Sequence, residues 1–179
     1  VSFSPLHDRH LPDGISGLLL GGGYPELYAG QLEKNISMRQ EIRQAVKSGM
    51  PVIAECGGFL YLHEAIRTED GIRYAMCGII EGEAAYTGRL VRFGYVMIRE
   101  KTPCFLDGKE IRGHEFHYYD STANGCDCVA EKPTTGKTWD CIHKSGNQFL
   151  GFAHLYYPSN PAFARHFAEE VKKYHLSET

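Results

Sequence analysis

Several features are missing from this 179-residue chain, and each absence removes a class of function. No stretch approaches the ~20 apolar residues that a bilayer-spanning helix needs, so membrane is not an expected partner. No basic run is longer than two residues, and Lys+Arg 19 stand against Asp+Glu 22 for a net charge of -3. That balance gives nucleic acid or an acidic membrane surface nothing to bind. The opening segment, "VSFSPLHDRHLPD", lacks the layout of a signal peptide. Six cysteines without an export signal read as reduced thiols, and a cytoplasmic location is expected. There is no internal repeat, no low-complexity tract, no P-loop Lys-Ser/Thr and no dinucleotide fingerprint. The chain opens on Val rather than Met, which points to a single domain, residues 1–179, cut from a longer protein.

The residues that are present, 42% hydrophobic and 23% charged, fit a soluble globular domain with a substantial core. "GISGLLL" (14–20) predicts a short strand ending in the turn "GGGYPE" (21–26). Residues 32–48 place Leu32, Ile36, Ile42, Ala45 and Val46 at near-helical spacing, with Gly49 as C-cap. "PVIA" (51–54) predicts a second buried strand, Cys56 follows its end, and a short helix is expected from Gly58 to about His63. This order is the signature of a parallel sheet with crossover helices. Segments 75–100, 109–119 and 126–132 are β-rich and separated by turn signals such as "LDGK" (106–109) and "ANG" (123–125). Antiparallel strands are expected across roughly 75–145. The β-α pattern returns at 147–175, with Asn160 as helix cap and Pro161 at the first helical position.

A cysteine flanked by glycines at the end of a parallel strand has a chemical rationale. Ligands of open parallel sheets sit at the carboxyl ends of strands. Ala54-Glu55-Cys56-Gly57-Gly58 fits the small-x-nucleophile-x-Gly turn that lifts a nucleophile above such a sheet. The following helix N-terminus is expected to lower the thiol pKa. The N–H of Gly57 and those of the Gly21–Gly23 turn, Gly22 and Gly23 in particular, are candidate oxyanion donors. Three successive glycines cost backbone entropy, which argues that something approaches that backbone closely. His154, after another apolar strand, is expected at the same sheet edge as the proton shuttle.

Two other clusters carry polar chemistry. In "RGHEFHYY" (112–119), strand alternation puts Arg112, His114 and Phe116 on one face and Glu115, His117 and Tyr119 on the other. His114, Glu115 and His117 are candidates for substrate or domain contact, with an ordinary half-buried strand as the alternative. Cys126-x-Cys128 and Cys141-x-His143 are zinc-type ligands, but structural zinc sites space paired cysteines by two to four residues. No metal is therefore expected.

In order along the chain, "GLLLGGGYPE", "MRQEIRQAVKSGMPVIAECGGFLYL", "RGHEFHY" and "HLYYPSNPAFARHF" resemble the class I glutamine amidotransferase domain at the C-terminus of cobyrinic acid a,c-diamide synthases. The resemblance implies an α/β fold, a mostly parallel, flavodoxin-like sheet flanked by helices, with additional antiparallel strands. It places the nucleophile on Cys56 and its histidine on His154. It further implies glutamine as substrate and ammonia delivery to an N-terminal ATP-dependent synthetase domain, which amidates corrin-ring carboxylates in cobalamin biosynthesis. ATP and Mg2+ would serve that domain, and this one would need no cofactor. Many wider relatives have Gly and Gln where this chain has Ala54 and Leu60, and Glu two residues after the histidine, where Tyr156 stands here. No third triad member is visible. Another thiol hydrolase on the same scaffold, or a catalytically silent interaction domain, are the alternative readings.

Overall fold

The computed structural model describes residues 1–178. Its first part runs β1 (Leu18–Leu20), a 3-10 turn (Pro25–Tyr28), α1 (Ala29–Lys34), α2 (Ile36–Lys47), β2 (Val52–Glu55) and α3 (Gly57–Leu62). The middle holds β3 (His63–Arg67), β4 (Arg73–Ala75), β5 (Ile80–Tyr86), β6 (Arg92–Glu100), β7 (Glu110–His117), β8 (Tyr119–Ser121), β9 (Cys128–Glu131) and β10 (Thr138–Cys141). β11 (His143–Lys144), β12 (Gln148–Gly151), β13 (His154–Leu155) and α4 (Pro161–Glu178) complete it.

Three sheets result, ordered β1-β2-β12-β11, β10-β9-β6-β7-β13 and β4-β3-β5-β8. The pairs β1–β2, β2–β12 and β3–β5 run parallel, and every other pairing of named strands is antiparallel. The expected parallel sheet is thus the centre, and the additional antiparallel strands outnumber it. Side chains of β2 and β12 alternate between two cores, as the strand period of two requires, while β1 faces one core and exposes Leu19 on its other side. Leu18, Leu20, Val52, Ala54 and Leu150 face a core shared with α1, α2 and α3. Ile53 and Phe149 face a second core built with β6, β7, β9 and α4, where Phe105 and Phe163 pack fully buried. Burial on both faces is the rule for parallel strands and explains the near-continuous apolar sequence of β2 and β12.

The predicted helix over 32–48 divides in two. Asn35 interrupts it at φ −81°, ψ 66°, and its side-chain amide donates to the carbonyls of Pro5 and Asp8 at 2.8 and 2.7 Å. α2 then buries Met38, Ile42 and Val46 on one face, each worth about 1.5–3 kcal/mol relative to exposure. Gly49, at φ 94°, follows its end as expected. Asp107 and Gly108 both take positive φ, and the Lys109 N–H closes that turn on the Leu106 carbonyl at 3.0 Å. At the start of α4 the Asn160 side chain accepts the Ala162 N–H at 3.1 Å, and its amide donates to the Leu106 carbonyl at 3.0 Å. That cap ties α4 to the antiparallel sheet.

Candidate active site

Cys56 lies between β2 and α3 at φ 48°, ψ −106°. A non-glycine residue rarely occupies this region, and holding it there costs about 1–3 kcal/mol. Neighbouring bonds impose it: the Cys56 N–H donates to the Gly151 carbonyl at 2.9 Å, and the Cys56 carbonyl accepts the Leu60 N–H at 2.9 Å. The backbone therefore leaves β2 bonded to β12 and enters α3 within a single residue.

The flanking glycines are required by close approach. A Cβ on Gly58 would collide with the Leu20 carbonyl, and one on Gly57 would sit 2.6 Å from the Gly23 oxygen. The Gly58 N–H donates to the Gly21 carbonyl at 2.9 Å. The Gly21–Gly23 turn is thus pressed against the elbow, which accounts for both glycine runs. Among the described residues, no protein acceptor takes the N–H groups of Gly22 or Gly23, and the Gly57 N–H is turned to the Cys56 sulfur. A Cβ on Gly22 would overlap Cε1 of His154. The glycine turn therefore touches both the nucleophile loop and the histidine.

β13 holds His154, pairing it with His114 of β7. Burial lowers the His154 pKa, and the charges of His114 and His117 lower it further. The ring stays neutral near pH 7, as a proton acceptor must be. Among the described residues no hydrogen-bonding partner holds this ring, so the structure supplies no third triad side chain.

The expected lowering of the Cys56 pKa is reversed. Burial pushes it up to about 11, and the carboxylates of Glu26, Glu115 and Glu55 act in the same direction. The Gly57 N–H opposes them by bonding the sulfur. A six-residue helix start cannot offset burial and negative charge together, so Cys56 is a thiol at neutral pH.

Three residues that sequence reasoning left without a role complete the surroundings. The Tyr157 hydroxyl donates to Glu55 at 2.8 Å, and burial, partly offset by this bond, raises the Glu55 pKa. Glu26 has an oxygen buried without a partner, and burial raises its pKa too. Phe152 packs edge-on against Phe59 of α3, at 5.0 Å and 74°. "GGGYPE" and "HLYYPSNP" gave local signals for Glu26 and Tyr157, whereas Phe152 had none beyond its hydrophobicity.

One open cavity borders the elbow, and a second lies against β13. One, of about 310 Å³, is bordered by Gly21–Gly23, Tyr24, Gly57 and Tyr61. The other, of about 610 Å³, lies beyond His154 and is bordered by Tyr95, Arg112, His114 and Tyr156. Cys56 lines neither, in keeping with its burial.

Of the three contact candidates on β7, only His114 is on the outer face. Glu115 and His117 are 2% and 5% exposed, which removes them from any direct contact with another domain. Among the possible metal ligands, Cys128 and Cys141 face each other across β9–β10, both buried, while Cys126 is exposed. His143 donates to the Ala123 carbonyl at 2.8 Å. Among the described residues no group of three or more His, Cys, Asp or Glu side chains is arranged to hold a metal ion. All six cysteines are free, and no described helix is long and apolar enough to cross a membrane.

Residues 1–160 match the model of the CobB/CobQ-like glutamine amidotransferase domain. The cobyrinate a,c-diamide synthase of Caldanaerobacter subterraneus subsp. tengcongensis is 42% identical over 161 residues, covering 87% of this chain and 35% of that protein. The Salmonella typhimurium protein of the same name is 37% identical over 179 residues, covering 97% and 39%. The chain thus spans little more than a third of the length of these curated relatives. In fold it is similar to a glutamine amidotransferase crystal structure, with a TM-score of 0.59 at 16% identity over 89% of this chain and 81% of that one. It is also similar to PurLQS from Thermotoga maritima, with a TM-score of 0.53 at 16% identity over 97% and 83%. Family model, relatives and fold agree: the chain belongs to the CobB/CobQ-like glutamine amidotransferase domain family.

Proposed function

We propose that this domain hydrolyses glutamine through a thioester on Cys56 and hands the ammonia to the remainder of a longer, cytoplasmic cobyrinic acid a,c-diamide synthase. The observation that carries the proposal is the Cys56 elbow, with the N–H groups of Gly22 and Gly23 unused beside it and that of Gly57 on the sulfur. In this reading the Cys56 thiol gives its proton to neutral His154 as the sulfur attacks the side-chain amide carbon of glutamine. Glycine N–H groups receive the oxyanion, a contribution of about 2.7–4 kcal/mol per donor. The C–N bond then breaks, and His154 returns the proton to the departing nitrogen, releasing ammonia. Water attacks the γ-glutamyl thioester with His154 as base, and glutamate leaves with the thiol restored.

Nothing in this sequence of steps needs a nucleotide or metal. ATP and Mg2+ belong to the acceptor reaction, in which the synthetase portion activates corrin-ring carboxylates. Contact with that portion is assigned to the outer face of β6 and β7. There His114 stands among exposed Phe93, Tyr95 and Phe116, with ring centroids 5.4 Å from Tyr95 and 5.8 Å from Phe93. The family membership and the length of the relatives support this division of labour.

Hydroxylamine trapping tests the thioester. Incubated with glutamine and hydroxylamine, the protein is expected to form γ-glutamyl hydroxamate, and Cys56→Ala to form none. Hydroxamate formation that persists in Cys56→Ala would place the chemistry elsewhere.

A further inference from the structure

The inward face of β7 carries a hydrogen-bonded pair that the reaction above does not use. Glu115 and His117 are almost fully buried, and both ring nitrogens of His117 meet acceptors. Nδ1 donates to the Tyr119 carbonyl at 2.6 Å, and Nε2 lies 3.0 Å from a carboxylate oxygen of Glu115. A carbonyl only accepts, so Nδ1 carries a proton, and the Nε2–carboxylate contact requires a second one between them. Arg92, opposite His117 on β6, stands 3.7 Å from the same oxygen. The ring is therefore fixed at both edges. Its face lies flat on Phe152, with centroids 3.9 Å apart and planes 6° from parallel.

Phe152 is one residue beyond Gly151, whose carbonyl holds the Cys56 N–H, and two residues before His154. Its edge meets Phe59, three residues after Cys56. An apolar group of equal size would fill this space without the cost of burying polar groups, so stability alone does not account for the pair. We propose that Glu115 and His117 are positioning residues: by clamping Phe152 they fix the short segment that spaces Cys56 from His154, the task a third triad side chain would otherwise perform. The charges of Glu115 and His117 also bear on Cys56 and His154 respectively, as expected of neighbours.

This inference rests on the proposed glutaminase, so its test has two independent readouts: glutamine turnover and hydrogen exchange of the Cys56 amide. In His117→Leu, kcat is expected to fall about 10- to 100-fold with KM for glutamine within about twofold, because geometry rather than binding is lost. The Cys56 amide should exchange about tenfold faster while buried β6 amides keep their protection. Glu115→Gln is the rescue variant. Its amide N–H can donate to Nε2 of a neutral His117 and keep the ring in place, so kcat should stay within about threefold of the unaltered chain. Unchanged kcat and unchanged Cys56 exchange in folded His117→Leu would overturn the clamp. So would a Glu115→Gln protein as impaired as His117→Leu, since orientation would then not be what the pair supplies. If the unaltered chain turns over no glutamine, the functional reading fails, and the exchange data still decide whether the clamp exists.

Discussion

At Cys56 the backbone and the thiol pull in different directions. The elbow brings glycine N–H groups around the residue, while burial and three carboxylates keep it protonated. In the proposed mechanism, attack on glutamine must then coincide with proton transfer to His154, whose pKa is lowered chiefly by burial. Two pH dependences follow. Alkylation of Cys56 by iodoacetamide should rise about tenfold per pH unit from pH 7 to about 10, because thiolate is scarce until the pKa near 11. A rate that levels off below about pH 9 would mean an ordinary or activated thiol. For glutamine hydrolysis, a lowered His154 pKa leaves the base unprotonated to lower pH, so the acid limb should fall below about pH 6.5. Gly22→Ala addresses geometry directly: its Cβ overlaps the His154 ring, a side chain that can swing away. The protein should fold and still be alkylated at Cys56, with kcat down at least about 100-fold.

Elements explain what could be read along the chain and what could not. The elbow was legible because its requirements are local: a strand end, a nucleophile, and glycines where two backbones meet. The raised thiol pKa was not, because the burial of Cys56 and the approach of Glu26 and Glu115 arise only through the fold. The break between α1 and α2 escaped notice because Asn35 is held by Pro5 and Asp8, far away in sequence. β3 was passed over because five residues following a helix gave no alternation before β5 came to pair with them. Glu115 and His117 were assigned correctly to one face of their strand, but alternation alone could not say that this face points inward. Two substitutions probe the element scale. Ile42→Ala, in fully buried α2 packing, should cost about 2–5 kcal/mol in urea unfolding. Gly58→Ala, whose Cβ meets the Leu20 backbone, cannot be relieved by a rotamer change. It should reduce both stability and Cys56 chemistry, unlike Gly22→Ala.

In the whole molecule, the central parallel sheet separates two cores, and the elbow sits where three constructions meet: the end of β2, the glycine turn after β1, and the β12–β13 segment. The antiparallel strands are part of the site, since β7 holds β13 and with it His154. The exposed aromatic face beside His114, proposed above as the contact surface, lies at the same edge. In the proposed reading, a chain spanning little more than a third of its curated relatives supplies one half of a coupled reaction. The most direct test of that half is intact-mass measurement after incubation with diazo-oxo-norleucine, comparing the unaltered chain with Cys56→Ser. A single adduct on the unaltered chain and none on Cys56→Ser is the predicted result. An adduct that survives in Cys56→Ser would contradict Cys56 as the nucleophile of a glutamine site.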